Sequence, residues 1–463
     1  MADLITELGG ILGSDRVLTG ADTAKWDQDW TAQYRGSPLA VVRPADRDQV
    51  AAVLRLASAR GVPVVPVSGN TGLNGGALGQ GAIMLSLDRL NRIREIRPDT
   101  RIAVVEAGVI VAALDAAAEA HGLTFPLAFG ASGSAMIGGV LSTNAGGANV
   151  LRYGNARDLC LGLEVVLADG RVLDLMQALH KNNSGFDLRD LMIGAEGQLG
   201  IITAAIMKLH PRPAARVTAM VAMPALEPAM GLLNALQDAT GGAVLAFEFM
   251  PRAHIEGHLK IDPKAREPFD APYPVNLLIE LAASRADALA DVLEQALAER
   301  LGTGEVADAV IARNETQRDE IWARREAAAE IAFRRAPVLD TDIAVPLGRV
   351  ADYLRQIEPR LRALDPGCEV LSVAHLGDGN IHYTCWPSSG DAGLMAALRA
   401  EIDALAVEMK GTFSAEHGVG LSKLAPMARH KDPVALDVMR AIKAVLDPAG
   451  ILNPGKTLPP KGP

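Results

Sequence analysis

The sequence predicts an α+β protein of more than one domain, and three observations carry that prediction. Two glycine-rich stretches with almost no charge, residues 68–76 and 130–154, lie among apolar strand-like runs in the first half of the chain. Residues 214–360 alternate apolar strands, at 244–249 and 275–281, with Ala-rich helices at 285–301 and 316–335. At 463 residues the chain also exceeds the ~250–300 that a single core usually sustains. The run Pro211-Arg212-Pro213 is the expected boundary, giving domains 1–213 and 214–415 and a C-terminal segment 416–463.

The elements follow in order. Residues 1–40 read as a short helix and an irregular approach. From Asp46 a helix places Val50, Val53, Leu54 and Ala57 on one face, and Gly61 with Pro63 ends it. An apolar strand over 62–67 runs straight into the first glycine-rich loop. A strand at 102–107 and a helix at 109–120, closed by Gly122, separate the two loops. After the second loop, residues 163–175 read as a hairpin turning on Asp169-Gly170. The run Gly194-Ala-Glu-Gly-Gln-Leu-Gly200 leads into a strand at 201–209, and a helix near 435–446 precedes a Pro-rich tail.

Composition narrows the function classes. A net charge of −10 without a long basic run argues against nucleic-acid binding. Cys160, Cys368 and Cys385 are too few and too scattered for a disulfide framework or a paired-cysteine metal site. No apolar run approaches the ~20 residues of a membrane span, and the first residues lack the basic stretch of a secretory signal. A cytoplasmic location is the expectation.

The glycine-rich loops carry the first functional reading. Met136, Ile137, Val140 and Leu141 stand among the glycines of the second loop, so its backbone is expected to be ordered. Glycine N–H groups form concave donor nests for phosphate oxygens without a positive side chain, and Ser, Thr and Asn add further hydrogen-bonding groups. The loops therefore predict a cradle for a large phosphate-bearing cofactor. A literal phosphate-loop match, Gly450-Ile-Leu-Asn-Pro-Gly-Lys-Thr457, is rejected: Pro454 sits inside it, and it lacks a strand before and a helix after.

His375-Leu-Gly-Asp-Gly-Asn-Ile-His382 carries the second reading. If residues 377–380 turn between two antiparallel strands, Leu376 faces Ile381 and His375 faces His382 on one side of the ribbon. Opposed Cβ atoms ~4.5–5.5 Å apart let two imidazoles grip one metal. Ser414-Ala-Glu-His-Gly-Val-Gly420 offers Glu416 as a third ligand. Two His and one carboxylate suit Zn²⁺, and also Mn²⁺ or Fe²⁺.

Five fragments in register, Ser68–Leu73, Gly130–Gly139, Thr143–Gly147, Arg152–Gly154 and Gly194–Gly200, resemble the FAD-binding domain of the vanillyl-alcohol oxidase/PCMH flavoproteins. The more specific likeness is to the D-2-hydroxyacid dehydrogenase branch, which includes D-lactate and D-2-hydroxyglutarate dehydrogenases. The resemblance implies a PCMH-type FAD-binding domain, a second α+β substrate (cap) domain and a C-terminal helical segment returning to the flavin. It implies that Ser68, Gly69, Asn70, Thr71, Gly72 and Leu73 wrap the FAD diphosphate. Ala131, Ser132, Gly133, Ser134, Gly138, Gly139, Thr143, Asn144 and Gly147 would hold the diphosphate and ribityl chain. Tyr153 and Gly154 belong to the same cradle, Glu196, Gly200 and Ile202 approach the adenine half, and Asn453 comes near the isoalloxazine. Neither loop contains a His, so the FAD is expected to be noncovalent.

The same resemblance makes His375, His382 and Glu416 metal ligands and matches Arg325 to the arginine that binds the substrate carboxylate. Hydride leaves C2 for flavin N5, the metal polarises the hydroxyl, and His417 is the candidate base. Substrate choice turns on three departures: Asp340 stands where 2-hydroxyglutarate enzymes carry Lys, Ala329 where they carry Thr, and Thr384 where they carry Asn. An acid at 340 should repel a dicarboxylate, so the expectation is a D-lactate-type substrate, with D-2-hydroxyglutarate or D-malate as the alternative. The electron acceptor expected is a quinone, a cytochrome or an electron-transfer flavoprotein, and the branch implies a homodimer. A flavin-free metal hydrolase and a non-enzymatic flavin-holding subunit are the other classes. A colourless purified protein would favour the first, and absence of turnover with every hydroxy acid the second.

Overall fold

Asp46 accepts a hydrogen bond from the Gln49 N–H at 2.8 Å and so starts the helix Arg47–Arg60, which Gly61 ends at φ 61° in the left-handed region. The helix leads into the strand Val64–Val67. That strand lies parallel to Ile83–Ser86, which is in turn parallel to Ala40–Val42. The computed structural model describes residues 2–284 and 289–461. It divides into two units, one of residues 1–146, 154–211 and 416–463, the other of residues 147–153 and 212–415.

In the first unit a five-stranded antiparallel sheet runs in the order Ile93–Arg97, Ile102–Glu106, Ile201–Lys208, Cys160–Val166, Val172–Leu175. The hairpin between the last two turns as Asp169-Gly170 predicts, with Gly170 at φ 79° and its N–H donating to the Leu167 carbonyl at 2.9 Å. The second glycine-rich stretch is not a loop throughout. Ile137–Thr143 forms a short helix, its hydroxyls at Ser142 and Thr143 donating to the Gly138 and Gly139 carbonyls and its end fixed by Asn144 at φ 52°. The chain's last segment returns beside the strand before the first loop: the Val64 N–H donates to Ile451 at 2.7 Å, and the Asn453 N–H to Val64 at 2.8 Å.

The second unit is built on a seven-stranded sheet in the order Asp308–Ile311, Ala215–Met223, Val275–Ala283, Val244–Pro251, Glu369–His375, Asn380–Trp386, Leu339–Ala344. Successive side chains alternate between its faces. One face carries Val221, Phe247, Ile279, Ile381 and Tyr383 into a large apolar core with the helices Ala229–Thr240, Leu289–Thr303, Val350–Leu364 and Ala392–Glu408. The other packs Met220, Ala246, Leu278 and Val373 against Ile255 and Ile321 from the helices Arg252–Ile261 and Glu315–Glu326. This second face also bears the buried acids Glu248, Glu280 and Asp342 and the paired histidines.

Two sequence expectations change here. The helix expected over 316–335 is two helices, Glu315–Glu326 and Ala328–Phe333, because the Arg324 carbonyl is taken by His254 Nε2 at 2.6 Å rather than by the next helical turn. The helix expected over 285–301 is observed as Leu289–Thr303, and residues 285–288 lie outside the described residues.

Candidate active site

The first glycine-rich loop follows its strand without a break; Gly69 lets it meet the second, and Gly138 lets the second pack on Ala107. A Cβ at Gly69 would stand 2.2 Å from the Ser134 carbonyl oxygen, and one at Gly138 would stand 2.7 Å from the Ala107 Cβ. Glycine at 69 and 138 is therefore a requirement of close approach. Elsewhere the loops face open space: a Cβ at Gly72, Gly130 or Gly133 would meet nothing within 4 Å. Among the described residues the backbone N–H groups of residues 70–73 donate to no other group of the chain. Open, uncharged and rich in donors, this cradle fits a diphosphate.

Other residues of the predicted cradle are placed as follows. Asn70, at φ 52°, donates its side-chain amide to the Gln28 carbonyl at 3.0 Å. Asn144 accepts from the Arg157 N–H at 3.0 Å. Gly200 and Ile202 lie at the start of the strand Ile201–Lys208, where a Cβ at 200 would come within 2.5 Å of Val165. Gly147 and Tyr153 belong to the short excursion 147–153 in the second unit, and Gly154 reopens the first.

The turn that follows Glu416 is gripped by two side chains from the first half of the sequence. Asn74 donates to the His417 carbonyl at 2.9 Å and to the Gly418 carbonyl at 2.8 Å, while its own carbonyl accepts the Leu421 N–H at 2.8 Å. Glu196, predicted to approach the adenine, turns its carboxylate to the Val419 and Gly420 N–H groups, each at 2.8 Å. Burial pushes the Glu196 carboxyl above its usual range, against the pull of those two N–H bonds. His417 Nε2 lies 3.4 Å from Glu416 Oε1. Asn453, at φ 43°, donates to the Gly76 and Glu196 carbonyls and accepts from Lys456 Nζ at 2.9 Å.

In the second unit the histidine ribbon exists, with a different register. The strands Glu369–His375 and Asn380–Trp386 pair antiparallel with His375 opposite Asn380 and Val373 opposite His382, so the turn is 376–379. His375 and His382 are thus diagonal rather than opposed. A shift of two residues preserves the face, because side chains alternate with period two. The imidazole centroids are 5.3 Å apart. Gly379 makes this turn possible: it sits at φ 83°, and a Cβ there would meet the Val345 carbonyl at 2.3 Å.

On the same face three acids flank the histidines. Asp342 is opposite His382 on the neighbouring strand, with ligand atoms within 4.8 Å of it. The Asp342 carboxylate also accepts from Asn380 at 2.9 Å and from the Ala415 N–H at 3.2 Å, and Ala415 is the residue before Glu416. Asp340 accepts the Thr384 hydroxyl at 2.7 Å. Glu248 is opposite His375 on its other side.

Glu248 is buried, and its carboxylate holds two predicted site residues at once. Arg325 Nε donates to Oε2 at 2.8 Å, and His375 Nδ1 lies 3.0 Å from Oε1 and 2.8 Å from Oε2. Arg325 Nη2 stands 3.4 Å from His375 Nε2, which closes the triangle. Burial works to raise the Glu248 carboxyl, but the Arg325 charge and the hydrogen bonds from His375 and Arg325 outweigh it and hold it below the ordinary range. The helix presenting Arg325 is anchored a turn earlier by another buried acid, Glu280. It accepts from Arg318 Nε at 2.8 Å, Trp322 Nε1 at 2.8 Å and the Thr218 hydroxyl at 2.7 Å. Ala329 is exposed on the next short helix.

Glu248, Glu280, Asp342 and Asn74 were not singled out in the sequence. Glu248 and Glu280 had a signal: each is the one charge in an otherwise apolar strand, and a lone acid there must find a partner. Asp342 alternates with Asp340 at strand spacing. Asn74 sits unremarked among glycines.

A family model described as FAD binding domain matches residues 38–176, and one described as FAD linked oxidases, C-terminal domain, matches residues 212–457. The chain belongs to the FAD-linked oxidases of the vanillyl-alcohol oxidase/PCMH type. Its fold is similar to that of p-cresol methylhydroxylase solved with substrate bound, at a TM-score of 0.75 and 17% identity, covering 99% of this chain and 96% of that one. It is 36% identical to the D-2-hydroxyglutarate dehydrogenase of Stutzerimonas stutzeri, over 98% of each chain. It is likewise 36% identical to the mitochondrial D-2-hydroxyglutarate dehydrogenase of Bos taurus, over 93% of this chain and 79% of that one. Within the family, then, this is an FAD-dependent D-2-hydroxyacid dehydrogenase. Among the described residues no helix is long and apolar enough to cross a membrane.

Proposed function

We propose that the substrate is a dicarboxylic D-2-hydroxy acid of the D-2-hydroxyglutarate or D-malate type, oxidised to the 2-oxo acid. The observation that carries the chemistry is one sheet face bearing two histidines with ring centroids 5.3 Å apart, to which Glu248 ties a buried arginine from the helix Glu315–Glu326. The similarity to proteins named D-2-hydroxyglutarate dehydrogenase supports the dicarboxylate. Bound FAD supplies hydride acceptance, and a divalent ion, Zn²⁺ with Mn²⁺ or Fe²⁺ as alternatives, supplies Lewis acidity at the hydroxyl.

The chain's own groups then have separate tasks. Arg325, its Nε fixed by Glu248, binds the C1 carboxylate. His375, His382 and Glu416 would hold the ion, with Asp342 opposite His382 as a further carboxylate. His417 takes the hydroxyl proton on its imidazole. Residues 68–73 and 131–147 hold the diphosphate and ribityl chain, Glu196 to Ile202 the adenine half, and Asn453 stands near the isoalloxazine. The FAD is noncovalent, as neither loop has a His.

One observation favours a second reading, a monocarboxylic D-lactate-type substrate. Asp340 is held by the Thr384 hydroxyl at 2.7 Å on the same sheet face, a fixed negative charge where a second carboxylate would need a cation. Anaerobic bleaching of the flavin's visible band separates the two. D-2-hydroxyglutarate, D-malate and D-lactate are compared on the same FAD-loaded protein. Faster bleaching by the dicarboxylates upholds the proposal. Faster bleaching by D-lactate replaces it with the second reading.

A further inference from the structure

We infer that Glu248 is a positioning residue for the reaction, setting with one carboxylate both the tautomer of His375 and the orientation of the Arg325 fork. The inference rests on the reading that His375 ligates the metal and Arg325 binds the substrate carboxylate.

The argument begins with what the strand can tolerate. Glu248 lies in the strand Val244–Pro251 between Phe247 and Phe249 and is 1% exposed. An unpaired carboxylate there would be expelled or neutralised. Its partners are the two proposed site residues. The carboxylate is acceptor-only when ionised, so the His375 nitrogen facing it, Nδ1, must carry the proton. The lone pair is thereby left on Nε2, with the ring held by a carboxylate behind it; Arg325 Nη2 lies 3.4 Å from that nitrogen, so the ion would take the place of this contact. The second consequence falls on Arg325. With Nε donating to Glu248 at 2.8 Å and Nη2 standing 3.4 Å from His375 Nε2, the guanidinium plane is fixed. The strand register supports the His375 bond without side-chain reach, because Glu248 and His375 are directly opposed.

One acid so placed links two tasks that separate residues would otherwise perform independently. Its loss should weaken both together. A merely structural acid would lower the melting temperature and leave ligand affinities alone when measured well below it.

The test uses the FAD-loaded full-length protein as wild type, Glu248→Gln, Glu248→Asp, His375→Gln and Arg325→Met. Mn²⁺ is titrated into chelator-treated samples, and KM and kcat are measured with whichever hydroxy acid bleaches the flavin. The expectation for Glu248→Gln is Mn²⁺ affinity lower by ~10–100-fold together with a raised KM, with the flavin spectrum unchanged. Glu248→Asp, which keeps the charge but shortens the reach, should recover part of both. If His375→Gln and Arg325→Met show these losses and Glu248→Gln does not, the inference is wrong and the proposed roles stand. If His375→Gln and Arg325→Met themselves leave Mn²⁺ affinity and KM unchanged, the underlying reading fails first. Should Glu248→Gln not fold, ¹⁵N resonances of the His375 ring in the wild-type protein decide the matter: a proton on Nδ1 supports the inference, and a proton on Nε2 overturns it.

Discussion

Asn74 illustrates how much of this enzyme's chemistry depends on residues that carry none. Its side-chain amide donates to two successive carbonyls, those of His417 and Gly418, and so fixes the backbone under the proposed base. Replacement with alanine would leave both carbonyls without that donor, at about 1–3 kcal/mol of local stability. A base displaced by about 1 Å loses roughly a hundredfold in rate. Asn74→Ala is therefore expected to keep its flavin absorbance while kcat falls by about 10–100-fold. An unchanged kcat would mean that the turn holds itself. Direct removal of the base, His417→Asn, should cost more, about 10²–10⁴ in kcat. The residues around Glu248 and Asp342 follow the same logic, since their partners are distant in sequence and near in the sheet.

At the scale of the element, the break between the helices Glu315–Glu326 and Ala328–Phe333 shows packing overriding a continuous helical pattern. His254 causes it. Fully buried, it spends Nε2 on the Arg324 carbonyl, and its Nδ1 has no partner among the described residues. Burial pushes its pKa down from 6.5 to about 4, so it is neutral in the folded protein at neutral pH. The unfolded chain takes up the proton near 6.5, the folded protein only near 4. The stabilisation linked to this group is therefore complete above pH 6.5 and lost as pH falls from 6.5 towards 4, about 3 kcal/mol in all. His254→Gln should flatten denaturant-unfolding stability across that window, and a wild-type slope retained in the variant would assign it to other groups. The histidine ribbon is another element-level case. Gly379→Ala would force a Cβ into the Val345 carbonyl at φ 83°, and loss of Mn²⁺ binding with the flavin retained is the expected result.

For the whole molecule, FAD binding should register as stability. If the cradle orders around FAD in the folded state alone, protein at a hundredfold excess over Kd gains about 2.7 kcal/mol. The melting temperature should then fall on FAD removal and recover in proportion to added FAD. Local sequence chemistry determined a good deal of this molecule. Glycines with open or left-handed geometry mark the cradle loops, Asp46 and Gly61 bound a helix, and Asp169-Gly170 turns a hairpin. Period two alone put His375 and His382 on one face, although the register was two residues off. These features depend on neighbours within a few positions, so the local sequence contains them. Strand order and helix breaks do not. Glu248 meets His375 across 127 residues and Asn74 meets His417 across 343, distances over which no local pattern acts. The tertiary structure decided those pairs because burying both faces of the seven-stranded sheet selects one order of strands, and each acid left on the inner face must then be paired with what that order brings beside it.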